Sequence, residues 1–354
     1  MMTDPSARPG LPMRPALAFA LLIAAALSGP ARADEPWPYE AECRKWADVP
    51  VPRQDVGDAP ATCDTQALYY GEDGKGLKAD PVAARQCAYR ERGTGKAIET
   101  QANNFGGSGV LMMVYANGHG VKRNIPLAKR FACEYGGAPA EVEGRLAHLD
   151  EIASGKTRDP IDLCDDITSG LMMGVCAGRE ADFAQSARER RWATLQASWT
   201  PPQRAALATL RKAAKDYFDN VASEETDMSG TARGAMATDA YETLDKALLA
   251  DVERFERRER PAKVPADFAR DDKTLNSVYR KVLAALDAAK KNDNYAFGTI
   301  TSAGVRTTQR SWLRYRDAWV ALAAVRWPAL PQEVWLAWLS EARTKALVEA
   351  VGEE

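Results

Sequence analysis

The chain has two histidines in 354 residues, His119 and His148, and no C-x-x-C pair. That combination argues against His-based catalysis and against a Cys- or His-ligated zinc site. No apolar run approaches the ~20 residues that a membrane-spanning helix needs. The longest, Ala16 to Leu27, has 12. An excess of positive charge is also missing: 47 basic residues stand against 49 acidic ones, a formal net of −2, so nothing suggests a nucleic-acid partner. No stretch keeps up the alternating pattern of a strand. No cofactor fingerprint appears either, since Gly71 to Gly76 lacks G-x-G-x-x-G spacing and a βαβ setting.

What is present begins with an export signal. Arg8 and Arg14 precede the apolar run, Ser28-Gly29-Pro30 breaks it, and Ala31-Arg32-Ala33 fits an A-x-A cleavage site. Residues 1–33 therefore read as a signal peptide cleaved after Ala33, with Met13 as an alternative start. No cysteine stands at the cleavage site for a lipid anchor. The expected location is periplasmic or secreted, with no stable membrane anchor after cleavage. The mature chain carries 44 basic and 48 acidic residues, a net of −4. All six cysteines, Cys43, Cys63, Cys87, Cys133, Cys164 and Cys176, lie in it. An even count in an exported chain reads as a disulfide framework, with 15 connectivities open. Cys164–Cys176 is the favoured pair, because it closes a short loop worth about 3 kcal/mol.

The Gly-rich part from Asp34 to Gly155 contains an internal echo. Gly74-Lys75-Gly76 leads to Asp80, Ala84 and Ala88, and 44 residues later Gly118-His119-Gly120 leads to Asn124, Ala128 and Ala132. Asp80 and Asn124 suit helix N-caps. Alanines at i and i+4 allow close helix approach. Leu111-x-x-x-Tyr115-x-x-Gly118-x-Gly120-Val121-x-x-Asn124-x-x-x-Ala128 resembles a Sel-like repeat, a relative of the tetratricopeptide repeats, across about residues 65–135. The resemblance implies stacked helical hairpins used for protein contact. Two degenerate copies are fewer than a solenoid usually needs. Cys87 and Cys133, near the ends of the two echo helices, stand where a compensating staple is wanted.

Gly155 to Pro160 marks the expected boundary between a domain over 34–155 and one over 161–354. Past it, Thr200-Pro201-Pro202-Gln203 opens a helix with a capping box. Apolar residues at helical spacing then define five helices. They carry Leu207 to Val221, Tyr241 to Phe255, Leu275 to Leu286, Val305 to Leu322, and Trp335 to Ala342. The expected fold is all-α and disulfide-stapled: a hairpin-repeat domain followed by a bundle-like one.

The segment Gln309-Arg310-Ser311-Trp312-Leu313-Arg314-Tyr315-Arg316-Asp317 is the most distinctive. On a helix Gln309, Trp312 and Arg316 share a face, and Asp317 can pair with Arg310 or Arg314. The wide apolar stripe of Trp312, Tyr315 and Trp319 gives the segment a structural role, with Asp317 expected to hold a core-facing guanidinium. The segment also resembles the signature of the LprI-type lysozyme-inhibitor family, A-Q-R-x-W-x-x-[YF]-R-D. Asp272-x-x-Leu275-Asn276-x-x-Tyr279 resembles that family's D-x-x-L-N-x-x-Y helix, and Glu341-x-Arg343-Thr344-x-x-Leu347 its closing helix. Cys164 and Cys176 are spaced like its opening pair. The resemblance spans about residues 164–350. The family's cysteine after Arg-Asp is absent, with Trp319 near its place, and residues 187–260 read as an insertion or a diverged second copy.

The resemblance implies a non-catalytic envelope protein that binds a lysozyme or another envelope protein, with no cofactor and no metal. A repeat scaffold without lysozyme inhibition is the alternative, and an enzyme acting on cell-wall glycan ranks last. Ser108 with His119 is a weak dyad, and Asp165-Asp166 and Asp271-Asp272 read as helix caps rather than acid/base pairs.

Overall fold

The computed structural model describes residues 37–71, 78–92 and 105–352. The expected signal peptide and the Gly74-Lys75-Gly76 turn lie outside the described residues. Thirteen helices and no strand occur among the described residues. They are α1 (Pro38–Trp46), α2 (Arg53–Val56), α3 (Thr65–Tyr70), α4 (Pro81–Arg92), α5 (Gly107–Asn117), α6 (Ile125–Tyr135), α7 (Pro139–Ser154), α8 (Gly170–Gln196), α9 (Pro201–Glu224), α10 (Arg233–Glu256), α11 (Asp267–Lys291), α12 (Ser302–Arg326) and α13 (Gln332–Val351). The expected all-α class is the observed one.

Residues 38–354 form one compact unit with two apolar cores. The first is built around α5, which is apolar on every side and buried from Gly107 to Ala116. A helix with no polar face must be wrapped, and α4 and α6 pack against it. The two echo helices start alike. The Asp80 carboxylate accepts from the Ala83 N–H at 3.0 Å, and the Asn124 amide oxygen from the Leu127 N–H at 3.2 Å. Ala84, Ala88, Ala128 and Ala132 are fully buried, as their spacing predicts.

All six cysteines are paired: Cys43–Cys133, Cys63–Cys87 and Cys164–Cys176. The expected Cys164–Cys176 link is present. Cys87 and Cys133 are both staples, but each holds an outer segment rather than the other. Cys133 ties α6 to α1, and Cys87 ties α4 to the segment before α3.

The Gly155–Pro160 stretch follows α7 as a turn, and the first core continues past it through Ile161, Leu163, Met172 and Cys176. Glu141 on α7 accepts from the Thr168 and Ser169 N–H groups at 3.0 and 2.7 Å, which fixes the entry to α8. Helix α8 then crosses from one core to the other: Met172 lies in the first and Trp192 in the second. The sequence reading placed no helix here. Gly170 and Gly174 look like breakers, yet the backbone leading into α10 passes at Gly170 and the start of α10 at Gly174. A Cβ on Gly170 would stand 2.1 Å from the Thr231 carbonyl oxygen, and a Cβ on Gly174 3.6 Å from the Gly234 Cα.

The second core is the bundle of α9 to α13 with the end of α8. Helix α9 begins as expected, with the Gln203 side chain accepting from the Thr200 N–H at 2.9 Å. The first four expected stripes face inward; in the fifth, Trp335 and Trp338 do so but Ala342 is exposed. Phe255, Trp319, Trp327, Trp335 and Trp338 form one aromatic cluster, with Phe255 4.9 Å from the Trp335 ring in edge-to-face contact. Trp319 is fully buried where the resemblance would place a cysteine.

Candidate contact site and the buried motif

Arg343 sits at the centre of the bundle, its side chain fully withdrawn from water. Its two terminal nitrogens donate to both Glu225 oxygens at 2.7 and 2.6 Å. Its Nε donates to the Gln309 amide oxygen at 2.9 Å, and the Tyr217 hydroxyl lies 3.3 Å from Nη1. The fork geometry of a guanidinium suits a bidentate carboxylate. Burial works against the charge, but Tyr217 and Glu225 hold Arg343 above the usual arginine range. Burial pushes the Tyr217 phenol up. The cluster joins α9, its C-cap Glu225, α12 and α13. Sequence reasoning had Gln309 and Arg343 as motif residues and Tyr217 as core. It missed Glu225, which lies in a polar junction with no periodicity to mark it.

The rest of the motif divides between core and surface. Trp312 and Leu275 are buried, Tyr279 packs against the core from its edge, and the Arg316 guanidinium lies over the Trp312 ring at 5.4 Å. Asp317 corrects the expectation. It pairs with its neighbour Arg316 at 2.8 Å, not with Arg310 or Arg314, and its side chain is 64% exposed. Arg310 donates to the Thr307 hydroxyl and Arg314 to the Arg310 carbonyl. The reason is local: Trp312 draws Arg316 over its ring, which brings the guanidinium to the Asp317 carboxylate. Asp272 and Asn276 bond each other at 3.0 Å on the outside of α11. The motif is thus a buried bracket with a solvated rim.

The weaker catalytic constellations do not assemble. Ser108 donates to Glu134 at 3.2 Å, whereas His119 bonds the Tyr69 hydroxyl at 3.3 Å. Asp271 is paired with Lys263 at 2.8 Å, and Asp166 lies 3.2 Å from His148. Among the described residues no group of three His, Cys, Asp or Glu side chains could hold a metal ion. A cleft of about 660 Å³ lies between α8 and α10, with Phe105 and Arg179 on its wall. Arg179 is spent on structure there. It stacks between Tyr70 and Phe105, at 4.7 and 4.6 Å, and pairs with Asp162 at 2.8 Å.

One carboxyl stands out. Burial pushes Asp251 up to about 6, with Arg254 pulling the other way. It lies on α10 beside the buried Val252, and Arg254 bonds it at 2.8 Å.

No helix of the described residues is long and apolar enough to cross a membrane. No curated protein and no solved structure matches the chain. The family resemblance is carried by the bundle: residues 222–347, which include Glu225, Gln309 and Arg343, match the family described as Lysozyme inhibitor LprI.

Proposed function

We propose that the protein is exported, is cleaved after Ala33, and acts without catalysis by binding and inhibiting a lysozyme-type glycoside hydrolase. The observation that carries this reading is the family match over residues 222–347. The buried Arg343–Glu225–Gln309 bracket within that span supports it, because it commits two of the motif's polar residues, Gln309 and Arg343, to holding the bundle. The function then belongs to the surface that the bundle presents. A mature net of −4 favours encounter with a cationic enzyme only weakly.

A lysozyme assay with and without the purified mature protein, at two salt concentrations, tests the reading. The expected result is dose-dependent inhibition that weakens at higher salt, with Asp34 as the N-terminus by mass spectrometry. Full lysozyme activity at large molar excess and at both salt concentrations would contradict it. A second reading is favoured by the matching Asp80 and Asn124 caps of two helical hairpins. In it, the Sel-like part is a protein-binding scaffold and the bundle only its support.

A further inference from the structure

The connection between α11 and α12 holds a tyrosine out in water on a stiff mount. Tyr295 is 82% exposed, the most exposed of the large hydrophobic residues described. A free loop would let such a ring fold back onto apolar surface, but this loop is tied at each step. The Asn294 N–H donates to the Ala289 carbonyl at 2.9 Å, the Ala296 N–H to the Asn294 side chain at 3.0 Å, and the Gly298 N–H to the Tyr295 carbonyl at 3.0 Å. Behind the tip, Phe297 packs on the bundle core. The loop is also bound across to the α9–α10 connection. The Thr299 N–H donates to Asp227 at 3.0 Å, and the Met228 N–H to the Thr299 hydroxyl at 2.7 Å. Gly298 makes that approach possible. It sits at φ +54°, and a Cβ there would stand 2.0 Å from an Asp227 oxygen.

Charge adds to shape. Lys290 and Lys291 end α11, are exposed, and form no ion pair among the described residues. Asp293 is the one carboxylate between Lys290 and Tyr295, and Asp227 is spent behind the tip on Thr299, so the positive charge is local to the two lysines although the mature chain is acidic.

We infer that this tip, Tyr295 with Lys290 and Lys291, enters the substrate cleft of a lysozyme-type glycoside hydrolase and blocks it. The inference rests on the function proposed above. Such a cleft accepts flat sugar rings and holds two carboxyl groups, about 5 Å apart in retaining enzymes. A phenol ring has the size of one sugar ring, and its hydroxyl donates to a carboxylate. The two ammonium groups complement the carboxylates of such a cleft. A tyrosine on a tied backbone has only two side-chain torsions to fix on insertion and so loses little conformational freedom, which is the character of an interface hot spot. The tip also falls inside the matched span, 222–347.

The test uses the whole mature protein and a c-type lysozyme. Three proteins are compared: wild type, Tyr295→Ala and Tyr295→Phe. Inhibition is measured on a soluble substrate, and binding by calorimetry with and without a chito-oligosaccharide that fills the cleft. The expected result is wild-type binding that competes with the oligosaccharide. Tyr295→Ala should bind about 30-fold or more weakly with an unchanged melting curve, and Tyr295→Phe should recover most of the loss. Inhibition by Tyr295→Ala equal to wild type, or binding indifferent to the oligosaccharide, would overturn the inference and leave the inhibitor reading standing. A wild-type protein that neither binds nor inhibits lysozyme would overturn that reading and the inference with it.

Discussion

The two cores solve the same problem by different means. Around α5, the chain closes its helices with three disulfides and packs alanines, leucines, methionines and valines around five buried aromatic rings. From α9 onward there is no disulfide. Instead there are interlocking aromatic rings, while each core holds a buried Arg–Glu pair, Arg145–Glu141 in the first and Arg343–Glu225 in the second. The alanines at the helix contacts of the first core bury little area each, and burial stabilises by only about 25 cal/mol per Å², so that core gains from constraining the unfolded chain. The second core holds ten buried rings against five in the first, at about 150–250 Å² apiece, and so leans more on buried area than on cross-links. The absence of the family's cysteine near Trp319 fits this division, since a fully buried indole occupies the place.

Breaking the staples should separate the two cores most sharply. Cys43–Cys133 spans 90 residues. The chain-entropy relation puts its removal at about 4–5 kcal/mol. A Cys43→Ala/Cys133→Ala variant should therefore lose the structure around α5, giving rapid proteolysis within residues 38–154, while tryptophan emission from the bundle stays native. A change of comparable size is expected on the other side from Glu225→Ala. It leaves a buried guanidinium without its carboxylate, at a cost of about 3–5 kcal/mol, read as a large fall in melting temperature. Converting Glu225 and Arg343 together to Met should recover much of that fall.

A smaller effect is expected at Asp251. Its folded pKa is raised to about 6, so the folded state holds the proton more tightly than the unfolded chain does. The associated stability is present below about pH 4 and is lost as pH rises through 6, amounting to about 2 kcal/mol after allowing for partial solvent screening. Asp251→Asn should flatten the pH dependence of the melting temperature and raise it at pH 7. An unchanged profile would place Asp251 in water. The smallest effect belongs to Asp317→Ala, expected below ~1 kcal/mol because the pair is exposed on the Asp317 side. A drop as large as that of Glu225→Ala would restore Asp317 to the core.

The bundle was legible in the sequence to a degree that its central polar cluster was not. Leu207, Leu210, Ala214 and Tyr217 repeat at helical spacing, and the start at Thr200 carries its own capping residues, so α9 could be drawn before its neighbours were known. The caps Asp80 and Asn124 were legible for the same reason, since capping is local chemistry. Helix α8 was not. Glycines at 170, 174 and 178 are poor helix formers, and only the passing backbone of Thr231 and of the start of α10 explains Gly170 and Gly174. Glu225 could not be singled out either, because its partner Arg343 is 118 residues away. Asp317 was misjudged because i, i+3 and i, i+4 geometry says nothing of an adjacent arginine drawn over a tryptophan. Nor did anything local distinguish the exposed Tyr295 from the many inward-facing rings.

Hydrogen exchange resolved by peptide, before and after reduction and alkylation of all six cysteines, tests the division between the cores most directly. The account predicts that α4, α5 and α6 lose protection on reduction, while α9, α12 and α13 exchange as slowly as before. Uniform loss of protection across both cores, or none in either, would contradict it.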